Sequence, residues 1–268
     1  MKKEINLPDY LFPFVTKNLI RIGSSDDGSY LVEKSSVMNS DILLSLGVGT
    51  TFEFEKSFLN LNKVPLIAFD GSAGLRSHFK KIRWRIRQIF ALRNLDYFKE
   101  SFFYFFIPFK FYFFFKNFRN SNLSKNYRRF VKQYVGVQES YISLNKIFNK
   151  FVNPHEFKNI FLQVDIEGGE YEILDEILEL QNNISGLVIE FHDINLYMNE
   201  IEHFIKNFKL QLVHNHINNI GGLTYDNKPN VIELTFANTN SLEKVQNLPH
   251  KFDRPNSSTE FDYFAKRI

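Results

Sequence analysis

A chain of 268 residues without cysteine can bury one large α/β core carrying an elaboration, and it excludes a disulfide framework or a thiolate zinc site. Its formal net charge of +3 conceals a segregation: Arg76 to Lys132 holds 15 Lys and Arg against only Asp96 and Glu100, which is +13, and leaves −10 for the remainder. A uniformly basic nucleic-acid binder is thereby disfavoured, and a local patch facing a phosphate-bearing substrate or an anionic surface is favoured. Met1-Lys2-Lys3-Glu4-Ile5-Asn6 runs into Pro8 and Asp9 rather than into an apolar stretch, so no secretory signal is visible and a cytoplasmic location is expected.

Leu19 to Val32 reads as strand, Ser/Asp/Gly loop and strand. Asp41-Ile42-Leu43-Leu44-Ser45-Leu46-Gly47-Val48-Gly49 is a buried-type strand ending in a glycine turn, with a helix expected from about Phe52. Val64 to Asp70 is a second strand, whose terminal acid stands 21 residues after Gly49. A glycine turn followed about 20 residues later by a strand-end acid suits an adenosine ribose. Phe52 stands where the third glycine of a dinucleotide fingerprint would fall, so a mononucleoside cofactor fits better than NAD.

The stretch from Leu75 to Asn126 exceeds one crossover helix and contains an insertion, taken as residues 79–128 within a single domain spanning 1–268. Phe79, Ile82, Ile86, Ile89 and Leu92 form the apolar face of a basic amphipathic helix. Ser101 to Lys116 is dominated by phenylalanine but broken by Pro108 and Lys110, which is too short for a span of about 20 residues. Three readings stay open for it: a hairpin packed on the core or on a partner copy in a homo-oligomer, a peripheral membrane contact, and a lid over an acceptor.

Beyond the insertion, Arg129 to Gln138 reads as a third strand and Ser143 to Phe148 as a short helix. Phe161-Leu162-Gln163-Val164-Asp165-Ile166-Glu167-Gly168-Gly169-Glu170 reads as strand and tight turn, entering a helix with Tyr171, Leu174, Ile177 and Leu178 on one face. Ser185 to Asp193 is a fifth strand that ends in His192 and Asp193. After an amphipathic helix containing Met198, Ile201, Phe204, Ile205 and Phe208, the strands Leu210–Ile217 and Val231–Phe236 should be antiparallel neighbours, because no helix fits between them. The Pro- and Asn-rich tail, Leu248 to Asn256, is expected to lie extended over the surface.

Helices alternating with strands, closed by an antiparallel pair, form the pattern of class I S-adenosylmethionine-dependent methyltransferases: a Rossmann-like α/β fold with a seven-stranded, mostly parallel sheet and an antiparallel last strand. Within that superfamily the sequence resembles the FkbM family. The motif Asp165-x-Glu167-Gly168-x-Glu170 with Leu174 carries this, supported by Leu46-Gly47-Val48-Gly49 with Phe54-Glu55, Ala68-Phe69-Asp70, His214-Asn215-His216-Ile217-Asn218-Asn219 and Phe252-Asp253-Arg254-Pro255-Asn256. The resemblance implies O-methylation of a sugar hydroxyl, in a nucleotide-linked sugar or a surface polysaccharide (capsule) precursor. It puts Gly47 and Gly49 under the cofactor's methionine and ribose, Asp70 on the ribose hydroxyls, Val137 and Gln138 beside adenine, and Asp165 facing the active site. It also suggests His214, His216, Asn218, Asn219 and Arg254 as substrate contacts. Ser45 replaces the acid that often meets the methionine amine, and Asp26 or Glu55 could substitute for it.

Methylating an alcohol requires a base, and a histidine titrating near ~6.5 suits that task. His192 is the expected base, with Asp165, Glu167 or Asp193 orienting it or the sugar; His214 and His216, on one side of their strand, compete. A divalent metal held by Asp165, Glu167 and His192 is a further option. Two other functions compete with the methyltransferase reading: a catalytically degenerate nucleotide-binding or membrane-associated accessory protein of glycan assembly, and an NAD-dependent sugar oxidoreductase. No nucleic-acid partner is expected.

Overall fold

Two apolar pentads, Ile42–Leu46 (β4) and Ile160–Val164 (β7), are buried at every position because sheet neighbours and covering layers enclose both faces. They pair in parallel, Leu46 opposite Val164, and form the middle of the molecule in this computed structural model, which describes residues 2–24, 28–49, 52–73, 109–115, 127–153, 155–258 and 260–267. The flanking strands are Leu66–Phe69 (β5), Arg128–Val131 (β6), Ile184–Phe191 (β8), Gln211–Ile217 (β9) and Ile232–Ala237 (β10). Across the seven-stranded sheet the order is β6-β5-β4-β7-β8-β10-β9. All pairs from β6 to β8 are parallel, whereas β10 runs antiparallel to both β8 and β9.

The antiparallel strand is thus the last of the sheet in sequence but lies inside it, between β8 and β9. The loop before β10 has room to return the chain only as a neighbour of β9, which agrees with the absence of a helical pattern there. The third strand is shorter than its sequence suggests. It stops at Val131, and Gln133 to Gln138 form a loop in which Val135 bridges Ile142.

Among the described residues the α-helices are Lys34–Met38 (α1), Glu53–Leu61 (α2), 109–115 (α3), Leu144–Ile147 (α4), Leu174–Leu180 (α5) and Met198–Asn207 (α6). Ser143 caps α4, its side chain accepting from the Lys146 amide at 3.3 Å. The helix after the Asp165 turn begins with a tight 3-10 turn, Glu170–Ile173, and buries Ile173, Leu174 and Ile177. On the remaining flank, Leu19–Gly23 (β2) and Ser29–Glu33 (β3) form a hairpin sheet, and Thr235 of β10 donates to the Leu31 carbonyl at 2.7 Å. Lys2–Ile5 (β1), Asn247–Leu248 (β11) and Asp262–Lys266 (β12) make a three-stranded sheet that ties both termini together.

The insertion falls in the crossover between β5 and β6. Of residues 79–128, 109–115 (α3) and 127–128 are described, and one side of α3 packs on the core: Phe114 stacks on Phe52 at 4.5 Å, Phe111 meets Phe130 edge-on at 5.0 Å, and the Arg128 guanidinium lies 4.4 Å from the Phe114 ring centre. Phe109, Tyr112 and Phe113 are exposed. The basic amphipathic helix expected from Phe79 lies outside the described residues. Among the described residues no helix is long and apolar enough to cross a membrane.

One backbone contact at the sheet's carboxyl edge admits only glycine. Gly47 has φ +86, and a Cβ there would lie 1.6 Å from the Asp165 carbonyl oxygen. Gly47→Ala is therefore expected to destabilise the fold by more than ~2 kcal/mol in urea unfolding; a midpoint equal to that of the parent would show that the β4 and β7 ends separate freely.

Candidate active site

The carboxyl ends of β4, β5, β7 and β8 open onto one cleft with two adjoining lobes that share Gly47, Asp70, Ser72, Asp165 and Glu167. In open α/β sheets this edge is where ligands bind. The larger lobe, about 330 Å³, is bounded by Gly71, Tyr134, Gln138 and Tyr141, with the two tyrosine rings stacked 5.1 Å apart. The other, about 240 Å³, is lined by Tyr30, Val48, Gly49, Glu55, Gln163, Glu190 and His192, among others. No lysine or arginine lines either lobe among the described residues.

Asp70 organises the floor. Its Oδ2 accepts from the Gly49 amide at 2.7 Å, and its Oδ1 accepts from the Ser72 amide, the Ser72 hydroxyl and the Ala73 amide, each at 2.7 Å. The expected ribose acid thus also fixes the glycine turn. Ser45, where an acid is common, faces one: its hydroxyl lies 2.6 Å from Glu55 Oε1 and 2.7 Å from Gln163 Oε1. One hydroxyl proton cannot serve two oxygens. Burial pushes the Glu55 carboxyl up to about 7, with the Asp70 charge adding to the rise against the Ser45 bond, and a protonated Glu55 donating to Ser45 satisfies both contacts. Asp26 lies outside the described residues.

The turn after β7 is built around Glu170, which is fully buried. Its carboxylate accepts from the amides of Ile166 and Gly168 at 3.1 Å and from His192 Nδ1 at 3.1 Å. A carboxylate only accepts, so Nδ1 carries the proton and Nε2 is the ring atom left for chemistry. Nε2 lies 3.6 Å from Glu167 and 3.7 Å from Glu190. Burial lowers the imidazole pKa, but the Glu170 hydrogen bond and the Glu170, Asp165 and Glu167 charges outweigh it, and the net shift is upward. Tyr30 donates into the same space, its hydroxyl 3.2 Å from Glu190 Oε2 and 3.4 Å from Asp165 Oδ2.

Of the residues singled out from sequence, Gly47, Gly49, Glu55, Asp70, Gln138, Asp165, Glu167 and His192 line this cleft. Val137 is exposed beside it, its amide bonded to Glu172. Asp193 is exposed in a left-handed turn, φ 51, that starts the next 3-10 helix. Asp165, Glu190 and His192 offer ligand atoms all within 4.8 Å of one another, so a metal would meet Glu190 where the sequence suggested Glu167, whose side chain is 86% exposed. Glu190 and Tyr30 were missed. Period-two alternation puts residue 190 on the face of residue 192, a signal for Glu190; Tyr30 gave none.

The expected substrate contacts lie elsewhere. His214, His216, Asn218 and Asn219 are buried, and Arg254 is exposed. The histidines share one side of β9, as alternation predicts, but their partners are in the tail: His214 Nε2 meets Asp253 Oδ1 at 3.0 Å and His216 Nε2 meets Asn256 Oδ1 at 2.8 Å. The tail is a clasp across β9 rather than a loose surface strand.

Strand order, glycine turn and acid-lined cleft define a class I methyltransferase. The chain belongs to the FkbM methyltransferases: the signature of the methyltransferase FkbM domain matches residues 29–225. S-Adenosylmethionine is the methyl donor of this family, and the cleft's ring-lined and acidic lobes suit a nucleoside joined to a cationic sulfonium and amine. No curated protein matches the sequence. Similar solved structures include a precorrin-6y C5,15-methyltransferase from Geobacter metallireducens, 10% identical over 77% of this chain and 85% of that one, TM-score 0.37. Another is a tRNA (uracil-54, C5)-methyltransferase from Pyrococcus abyssi with S-adenosyl-L-homocysteine, 10% identical over 83% and 45%, TM-score 0.33.

The clasp makes stability depend on pH. Burial opposes charging of His216, yet Glu233 and Asp253 hold its pKa up to about 9. Burial likewise opposes ionisation of Asp253, but His214 and His216 hold it far below the ordinary carboxylate range. The His216 contribution is complete below the unfolded value of ~6.5 and lost as pH rises through about 9. That of Asp253 is complete above ~3.9 and lost on acidification. The melting temperature should fall between pH ~6.5 and ~9, and His216→Asn should flatten that limb; an unchanged limb would remove the His216 ion pair as its cause.

Proposed function

We propose that the protein transfers a methyl group from S-adenosylmethionine to a hydroxyl of a sugar, carried by a nucleotide or belonging to a surface-polysaccharide precursor, with His192 as the general base. The observation that carries this reading is the His192 ring, tied through Nδ1 to buried Glu170 and presenting Nε2 to a lobe rimmed by Asp165 and Glu190. Gly47, Gly49 and Asp70 would hold the ribose and methionine parts of the cofactor, Glu55 its cationic amine on giving up its own proton, and Tyr134 and Gln138 its base. When bound, it would supply a methyl carbon whose bond to the sulfonium sulfur breaks as the acceptor oxygen takes it, leaving a neutral thioether.

Everything else is done by side chains of this chain. His192 Nε2 accepts the hydroxyl proton as the oxygen gains its new bond to carbon, and Glu170 stabilises the imidazolium that results. Asp165, Glu190 and Tyr30 orient the acceptor; carboxylates suit a polyol because each hydroxyl donates and each carboxylate oxygen accepts. The phosphates of a nucleotide-linked acceptor would be repelled from this acidic lobe, and the excess of Lys and Arg in the sequence between Arg76 and Lys132 has the charge to suit them. Glu55 beside Ser45 supports an intact cofactor site over a degenerate one.

Calorimetry should show binding of S-adenosylmethionine and none of NAD; the reverse would end this reading. His192→Ala should cut methyl transfer to nucleotide sugars by about 10²-fold or more, while cofactor affinity changes little. Full activity in that variant would remove His192 as base. Glu170→Gln lowers the imidazole pKa by removing a charge, so the acidic limb of the rate profile should move to lower pH, with kcat reduced. Activity lost to EDTA and restored by magnesium would instead make Asp165, Glu190 and His192 a metal site.

A further inference from the structure

Beside the cleft, a group of buried ionisable side chains lies beneath the tail. Glu233 on β10 is in register with Glu190 on one neighbouring strand and with His216 on the other. The three side chains form a row across β8, β10 and β9, and all are buried. Two carboxylates directly opposite on adjacent strands repel, and in a dry site the cost is large unless donors reach them.

The donors come from the β9 end and from the tail. Asn218 Nδ2 reaches Glu190 Oε1 at 3.1 Å and Glu233 Oε1 at 3.5 Å. Asn256 Nδ2 donates to Glu233 Oε1 at 2.8 Å, and its Oδ1 takes His216 Nε2. The tail itself is fastened by the His214–Asp253 contact, by Asn219 bonded both ways to Ser257, and by Arg21 donating to the Phe252 carbonyl at 2.5 Å. At the other end of the row, Glu190 touches Tyr30 and stands 3.7 Å from His192 Nε2. A continuous chain of polar contacts thus runs from a segment some 40 residues downstream to the cleft.

We infer that the tail is a positioning element of the active site: Asn256, acting through Glu233 and Asn218, holds the Glu190 carboxylate against Tyr30 and beside His192 Nε2. Asn256 gives a hydrogen-bond donor to Glu233, the acid in register with Glu190, so the tail acts on the row that reaches His192 as well as closing the fold. The catalytic consequence rests on the proposed methyl transfer; the geometric link to His192 does not.

The test is nitrogen NMR of the histidine-labelled, cofactor-free full chain at one fixed pH. Asn256→Ala should shift the His192 Nε2 resonance by several linewidths, and adding Glu233→Gln should return it, because the carboxylate that Asn256 offsets is then gone. Arg21→Ala, which loosens the tail outside the row, should leave it in place. If Asn256→Ala fails to fold, Asn218→Ala cuts the same link from the other side. A folded Asn256→Ala protein with an unmoved His192 resonance would overturn the inference, as would an equal shift in Arg21→Ala. With a nucleotide-sugar acceptor, Asn256→Ala should lower kcat about tenfold or more while the S-adenosylmethionine Kd stays put. Failure of the parent protein to bind that cofactor would end the methyltransferase reading and leave the NMR result standing.

Discussion

The buried carboxylate of Glu170 is the interaction on which the site depends. It closes the turn after β7 by accepting from the Ile166 and Gly168 amides, and with the same oxygen it accepts from His192 Nδ1–H. A fully buried carboxylate is costly unless each lone pair finds a donor. Here the requirement fastens the end of β7 to the end of β8, so the turn that bears Asp165 and Glu167 cannot move without moving the imidazole. Gly47 adds the second constraint, since its contact with the Asp165 carbonyl sets how closely the cofactor turn approaches the same edge.

From these two constraints the division of labour in the cleft follows. The β4 and β5 ends, with Gly49 bound to Asp70, shape the half that suits a nucleoside, and Tyr134 and Tyr141 wall it. The β7 and β8 ends bring acid and imidazole together in the other half. Among the described residues no lysine or arginine lines that acidic half, which suits the cationic methyl donor of the family.

Much of the fold was legible because β4, β7 and β8 are apolar runs buried on both faces, and such runs end abruptly where the sheet meets solvent. Those endings exposed Gly47, Asp70, Asp165 and His192. A carboxylate at the position of Glu170, in a first helical turn, usually caps that turn; Glu170 does shape the turn, and its bond to His192 depends on a strand 22 residues away. The pairing of His214 with His216 followed from alternation, but what they face did not, since contacts to Asp253 and Asn256 leave no local pattern. The tail's Asp-x-x-Asn spacing has meaning only once β9 and β10 are laid side by side.

The central claim is that one cleft holds the methyl donor with its sulfur turned toward His192. A crystal structure with S-adenosylhomocysteine tests this most directly. The account predicts ribose hydroxyls at Asp70, the base beside Tyr134, and the sulfur facing His192 Nε2 across the space between Asp165 and Glu190. A nucleoside bound elsewhere, or a sulfur turned away from His192 with the ring detached from Glu170, would contradict it.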